Sequence, residues 1–171
     1  RRQGGTFTLE ETLQPPVLEA YEDFGRELAL DRDVLVVQGS MDYVFDRVGS
    51  TWTLRSAVGD PFSGSLTAPF VSGDHVLLGK SGGCAVCTGA KVYTWNGTQH
   101  QQTAFVQAPD AGERFMRSIA VRGNTFVIGS PGANSSPPPL ADSYVYELTG
   151  TTWNLVGELE DPTAFDSAFG F

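Results

Sequence analysis

A chain of 171 residues, 40% hydrophobic and 11% aromatic, is long enough to bury the core of one domain and short for two. Its 11 basic against 20 acidic residues give a net charge of −9, which argues against nucleic-acid binding, because phosphate contacts need a basic footprint. No apolar run approaches the roughly 18 residues of a membrane-spanning helix, and Arg1-Arg2-Gln3 is not followed by the apolar stretch of a secretory signal.

Twenty glycines and ten prolines in short clusters punctuate the chain as turns do in an all-β protein. The first segment, residues 1–16, carries Gly5-Thr6-Phe7-Thr8-Leu9 through Pro15, which is expected to be the outer part of a unit whose inner strands are missing. The second, 17–61, holds a strand at Leu28-Ala29-Leu30, a turn at Arg32-Asp33 and a run at Val34-Leu35-Val36-Val37. A third strand follows at Tyr43-Val44-Phe45 and a fourth at Thr51-Trp52-Thr53-Leu54. The pattern recurs over 62–109, with Phe70-Val71, the turn Gly73-Asp74, Val76-Leu77-Leu78, Lys91-Val92-Tyr93 and Gly97-Thr98-Gln99-His100 onward to Pro109. It recurs again over 110–162, with Ile119-Ala120-Val121, the turn Gly123-Asn124, Phe126-Val127-Ile128, Tyr144-Val145-Tyr146 and Thr152-Trp153-Asn154-Leu155. Residues 163–171 end on Ala168-Phe169-Gly170-Phe171, a match to Asp23-Phe24-Gly25-Arg26 that reads as the start of a further unit.

The turn dipeptides favour positive φ, except Arg32-Asp33, which fits a tight hairpin poorly. Each second strand is a continuous apolar run rather than an alternating one, so both faces of the sheet are expected to be buried. The fourth strands alternate polar with apolar, as an outer strand with one wet face does. The middle repeat lacks the fourth-strand tryptophan that Trp52 and Trp153 supply in the others.

Phe24-Gly25 with Leu28-Ala29-Leu30, Phe115 with Ser118-Ile119-Ala120-Val121, Gly129-Ser130-Pro131, Tyr43-Val44-Phe45 and Gly49-Ser50-Thr51-Trp52 together resemble the FG-GAP repeat, in its calcium-free form. The resemblance spans essentially the whole chain in register. It implies four-stranded antiparallel blades of a β-propeller related to the head of integrin α chains, here three full repeats with partial ones at both ends. It also implies an extracellular or cell-surface role in adhesion or assembly. The repeat-signature core is then Phe24, Gly25, Phe115, Gly129, Trp52, Trp153, Phe169 and Gly170. The pattern departs at Phe115-Met116 and Ser65-Leu66 in place of Phe-Gly, and at Gln38-Gly39-Ser40 and Gly79-Lys80-Ser81 in place of Gly129-Ser130-Pro131. The acidic loop that binds calcium in integrin-like repeats is here a tight turn, and Asp31 and Asp33 beside Arg32 read as a solvated turn, so no metal is expected.

Cys84 and Cys87, in a Gly-rich loop, permit a local disulfide, free thiols, a redox pair or half a zinc site; an extracellular location favours the disulfide. Asn96-Gly97-Thr98 and Asn134-Ser135-Ser136 are N-glycosylation triplets in expected loops. Ser135-Ser136-Pro137-Pro138-Pro139 reads as a stiff polyproline connector, or as an O-glycosylated or hydroxyproline segment. The carboxylates Glu10-Glu11, Glu19, Glu22-Asp23 and Glu158-Glu160-Asp161 fall in turns and outer strands, where they solvate edges. No nucleophile elbow, phosphate loop or zinc-protease motif occurs, so neither an enzyme nor a cofactor is expected.

These observations predict a structural or adhesive module that joins other copies of itself or further repeats, and could form a filament by strand pairing at its open ends. The alternative is a propeller that binds carbohydrate or surface proteins through its loops. Neither reading calls for nucleic-acid or membrane contact.

Overall fold

The computed structural model describes residues 2–16, 23–59, 68–80, 89–107, 109, 116, 118–130 and 142–160. The all-β expectation of four antiparallel strands per repeat matches what these residues form. A short hairpin pairs β1 (Arg2–Gln3) with β2 (Thr6–Phe7). Sheet I contains β3 (Leu28–Asp31), β4 (Val34–Gln38), β5 (Asp42–Val48) and β6 (Thr51–Val58). Sheet II contains β7 (Phe70–Ser72), β8 (His75–Lys80), β9 (Gly89–Trp95) and β10 (His100–Gln107). Sheet III contains β11 (Ser118–Arg122), β12 (Thr125–Ser130), β13 (Asp142–Thr149) and β14 (Thr152–Glu160). Each sheet is a meander whose spatial order follows chain order, and among the described residues the three sheets do not close into a ring.

The register is the same in all three. Val36 faces Val44 across the β4–β5 ladder, as Leu77 faces Val92 and Val127 faces Val145. One residue bulges from each fourth strand at the matching place: Arg55 in β6, Thr103 in β10 and Val156 in β14. One bond closes each sheet at its turn end, donated by the second residue after the third strand's central triplet to the turn carbonyl: Arg47 N to Asp33 O (2.8 Å), Trp95 N to Asp74 O (3.0 Å), Leu148 N to Asn124 O (2.8 Å).

A strand with apolar side chains on both faces must be covered twice, and stacking does this. One face of sheet I, bearing Val36, Val44 and Val58, packs against Val76, Leu78 and Tyr93 of sheet II. The opposite face of sheet II, bearing Leu77, Ala90, Val92 and Val106, packs against Phe126, Ile128, Tyr144, Tyr146 and Trp153 of sheet III. Every sheet thus has a front face that is aromatic or branched and a back face of aliphatics, and the fronts of sheets II and III lie on the backs of sheets I and II. Each side chain so buried contributes about 1.5–3 kcal/mol. The first strands β3, β7 and β11 lie side by side, which gathers the sheets along one edge.

The front of sheet I has no preceding sheet among the described residues. Its Val37, Tyr43 and Phe45 pack instead against Leu13, Phe24, Met41 and Trp52. Phe24 meets the rings of Tyr43 and Phe45 at 5.7 and 6.4 Å, and Gly25, at φ 90°, sends its N–H to Gln38 O at 2.8 Å. The Phe24-Gly25 pair therefore locks the entry to the repeat onto the end of β4.

Among the described residues two non-glycine residues adopt positive φ, and both stand where another repeat has glycine. Arg32 (φ 53°) takes the place of Gly73 (56°) and Gly123 (57°), while Met116 (70°) takes that of Gly25. The poor fit of Arg32 to its turn is thus borne as backbone strain of about 1–2 kcal/mol. Arg32→Gly relieves that strain against a smaller entropic loss, so denaturant unfolding should show a gain of up to about 1 kcal/mol. Met116→Gly, by contrast, empties a site only 1% exposed; it should destabilise by about 1–3 kcal/mol despite the relieved φ.

Candidate functional site

The chemistry-bearing side chains gather at the seams between sheets. The bulge in β6 adds a residue and re-aims its side chain, and that residue, Arg55, reaches across to sheet II. Its guanidinium carbon lies 3.9 Å from the Trp95 ring centroid, while Nη1 and Nη2 donate to Asp46 Oδ1 (3.1 Å) and Asp74 Oδ1 (3.2 Å). Trp95 in turn lies 5.2 Å from the ring of His100, whose Nδ1 is 2.6 Å from Ser56 Oγ. Burial, and then the Arg55 cation, push the His100 pKa down to about 4, so the imidazole is neutral at physiological pH. His100 pairs with Trp95 where sheet I pairs Trp52 with Arg47 and sheet III pairs Trp153 with Leu148. The tryptophan missing from the fourth strand of the middle repeat is replaced by one on the strand beside it.

The second seam uses neutral groups at the matching positions. Thr103, at the β10 bulge, bonds Thr94 Oγ1 at 2.9 Å, and Thr94 bonds His75 Nδ1 at 3.0 Å. The His75 ring stands edge-on to Trp153 at 5.7 Å, and Phe126 packs on Trp153 at 4.5 Å and on Tyr146 at 5.0 Å. Burial lowers the His75 pKa. Outside this seam, an open cleft of about 500 Å³ runs between β10 and β14, with Phe105, Gln107, Trp153 and Leu155 among its walls.

A relay of turn contacts joins the sheets at one end. Asp31 Oδ2 accepts from Gly73 N (2.7 Å), and Ser72 Oγ, the matching residue of sheet II, accepts from Gly123 N (3.1 Å). Asp31 therefore does more than solvate its turn: it binds the next sheet. In sheet III the matching residue is Arg122, which offers no acceptor. On the front of sheet I, Glu10 Oε2 accepts from Arg47 Nη2 (2.9 Å), and Glu11 Oε2 accepts from the backbone N of Trp52 (2.9 Å). These two acidic residues are thus ligands of the first sheet, not free edge charges.

The back of sheet III presents the positions that are covered elsewhere. Val36, Val44 and Val58 are 0%, 0% and 2% exposed, whereas Leu159, the counterpart of Val58, is 51% exposed and its neighbour Val156 is 53% exposed. Val127 and Val145, the counterparts of Val36 and Val44, are only partly covered.

Trp153 is buried, Trp52 half-buried under the Arg47 cation at 5.8 Å, and Gly129 buried in β12 between Ser118 and Ser143. Asn96 is exposed in the β9–β10 turn. Among the described signature residues, Phe24 and Trp52 meet at the front of sheet I, whereas Trp153 lies in the core between sheets II and III. Phe115, Phe169, Gly170, Cys84, Cys87, Asn134, Ser135, Ser136, Pro137, Pro138 and Pro139 lie outside the described residues. Among the described residues no group of three His, Cys, Asp or Glu side chains could hold a metal ion, and no helix is long and apolar enough to cross a membrane. No family model and no curated protein matches the chain.

Asp42 was not visible as a special residue in the sequence. It is 6% exposed at the start of β5, and its Oδ1 has no partner among the described residues. Desolvation raises its pKa from 3.8 to about 7. The folded state thus binds a proton that the unfolded state releases, so Asp42 makes stability fall as pH rises from about 4 to about 7. His100, depressed from 6.5 to about 4, makes stability rise over the lower part of that window. The two slopes oppose each other below about pH 6.5. Asp42→Asn should remove the falling limb, giving a thermal midpoint that climbs from about pH 4.5 to 6.5, and a gain over wild type on the order of 2–4 kcal/mol at pH 8. An unchanged pH profile in this variant would show that Asp42 is not the titrating group.

Proposed function

We propose that this chain is a non-enzymatic structural or adhesive repeat module of an extracellular or cell-surface assembly, built from blades of the FG-GAP type. The observation that carries the reading is the front-on-back stack: two successive seams repeat one relation, and the last back face bears the same aliphatic positions without a cover among the described residues. Such a unit is extended by adding another front face, as repeat architectures are. The N-terminal segment supports the reading from the other end. Gly4, at φ 61°, opens a hairpin like those at Gly49 and Gly150, and Glu10, Glu11 and Leu13 then run along the front of sheet I. That is the place a fourth strand of a preceding blade would occupy.

The partner at the open face is therefore a further sheet of this kind, from a following repeat or from another copy of the chain. Because Arg122 ends the acceptor series of Asp31 and Ser72, that partner brings a carboxylate or carbonyl where sheets II and III bring a turn N–H. The cleft between β10 and β14, with Phe105 beside Thr103 and Gln107, favours a second reading in which the module also binds carbohydrate.

In sedimentation velocity the full chain should associate with rising concentration, and Val156→Glu with Leu159→Glu should hold it as a folded monomer. A wild-type chain that stays a folded, protease-resistant monomer throughout would overturn the assembly role. Saturable binding on a glycan array by that monomer would establish the second reading in its place.

A further inference from the structure

We propose that Asn96 is an N-glycan acceptor, and that the oligosaccharide stands on the rim of the stack without entering a seam. The triplet Asn96-Gly97-Thr98 forms the connection between β9 and β10, and residues 96 to 99 are all exposed. The turn holds the acceptor side chain in one orientation. Asn96 Oδ1 accepts from the backbone N–H of Thr98 (3.0 Å) and of Gln99 (2.9 Å), and Asn96 N donates to Gln99 O (3.1 Å). With its carbonyl oxygen occupied by two donors, the side-chain amide presents Nδ2, which has no partner among the described residues. Gly97, at φ 96°, supplies the backbone reversal.

The place in the fold matters as much as the triplet. The matching hairpin tips, Gly49-Ser50-Thr51 and Gly150-Thr151-Thr152, carry no asparagine. All three tips lie at the turn end of their sheets, away from the front and back faces that pack together. A bulky polar modification at Asn96 therefore costs no apolar contact and leaves the open back of sheet III uncovered by sugar. In the transfer, Nδ2 of Asn96 forms a bond to the anomeric carbon of an oligosaccharide carried on a polyprenyl diphosphate. The bond from that carbon to the diphosphate oxygen breaks, Nδ2 loses one proton, and the polyprenyl diphosphate leaves; no oxidation or reduction occurs.

This inference rests on the extracellular part of the proposed function, since the transfer takes place in the secretory pathway, but not on assembly. The test expresses the full chain behind a cleavable secretory leader in eukaryotic cells and analyses the secreted protein by peptide mass spectrometry. The expected result is an oligosaccharide on the peptide containing Asn96. An amidase specific for N-glycans should remove it and leave aspartate at position 96. Thr98→Ala, which keeps both backbone donors to Oδ1, should abolish the modification with an unchanged circular dichroism spectrum, and Thr98→Ser should retain it. A folded, secreted wild-type chain with unmodified Asn96 would overturn the proposal. Sedimentation of the same material separates the two readings: a glycosylated chain that does not associate removes the assembly role and leaves this site standing, and an associating chain without sugar does the reverse.

Discussion

The structure depends on one constraint: its central strands are apolar on both faces. Val36 and Val37, or Leu77 and Leu78, are adjacent in sequence and so point to opposite sides of a sheet, yet all four are buried. A single sheet cannot satisfy that pattern, and two sheets satisfy it on one side only. Sheet II shows the full solution, because sheet I covers one of its faces and sheet III the other. The long-range packing thus follows from a local feature of the second strand in each repeat.

Polar chemistry then fixes how the sheets sit on one another. Aliphatic contact is non-directional, whereas the bonds from Asp31 to Gly73 and from Ser72 to Gly123 pin each turn to the strand end of the preceding sheet. At the outer side, the bulge residue performs a similar task with different chemistry at each level. Arg55 stacks on Trp95 between two carboxylates, Thr103 joins a hydroxyl chain to His75, and Val156 is bare. The Arg55 ion pairs are partly open to solvent on the carboxylate side, so their value lies in orientation more than in net energy. The progression from charged to neutral to apolar marks the back of sheet III as chemically unlike the two seams that are filled.

Much of this architecture was legible in the sequence, because hairpin turns and apolar runs have local signatures. Gly73-Asp74 and Gly123-Asn124 announce their turns, and the runs after them announce buried strands. Trp52 and Trp153 aligned the outer strands correctly. Other features had no local signature. A bulge is one residue too many on one side of a ladder, and neither Arg55, Thr103 nor Val156 differs from its neighbours in any way that a single strand reveals. The positive φ of Met116 is hidden because methionine has no preference for it, and only its alignment with Gly25 pointed there. The roles of Asp31 and of Glu10 and Glu11 depend on partners 42, 37 and 41 positions away, as their hydrogen bonds show. The burial of Asp42 has no local signature either, because it follows from how the sheets pack.

That the back of sheet III bears the apolar positions of the two filled seams, with Leu159 and Val156 left exposed among the described residues, can be tested residue by residue with hydroxyl-radical footprinting over a range of protein concentrations. Val58 and Val106 should resist oxidation at every concentration, while Leu159 and Val156 should be oxidised in dilute solution and become protected as the chain associates. Association that leaves Leu159 and Val156 as reactive as in the dilute protein would contradict it.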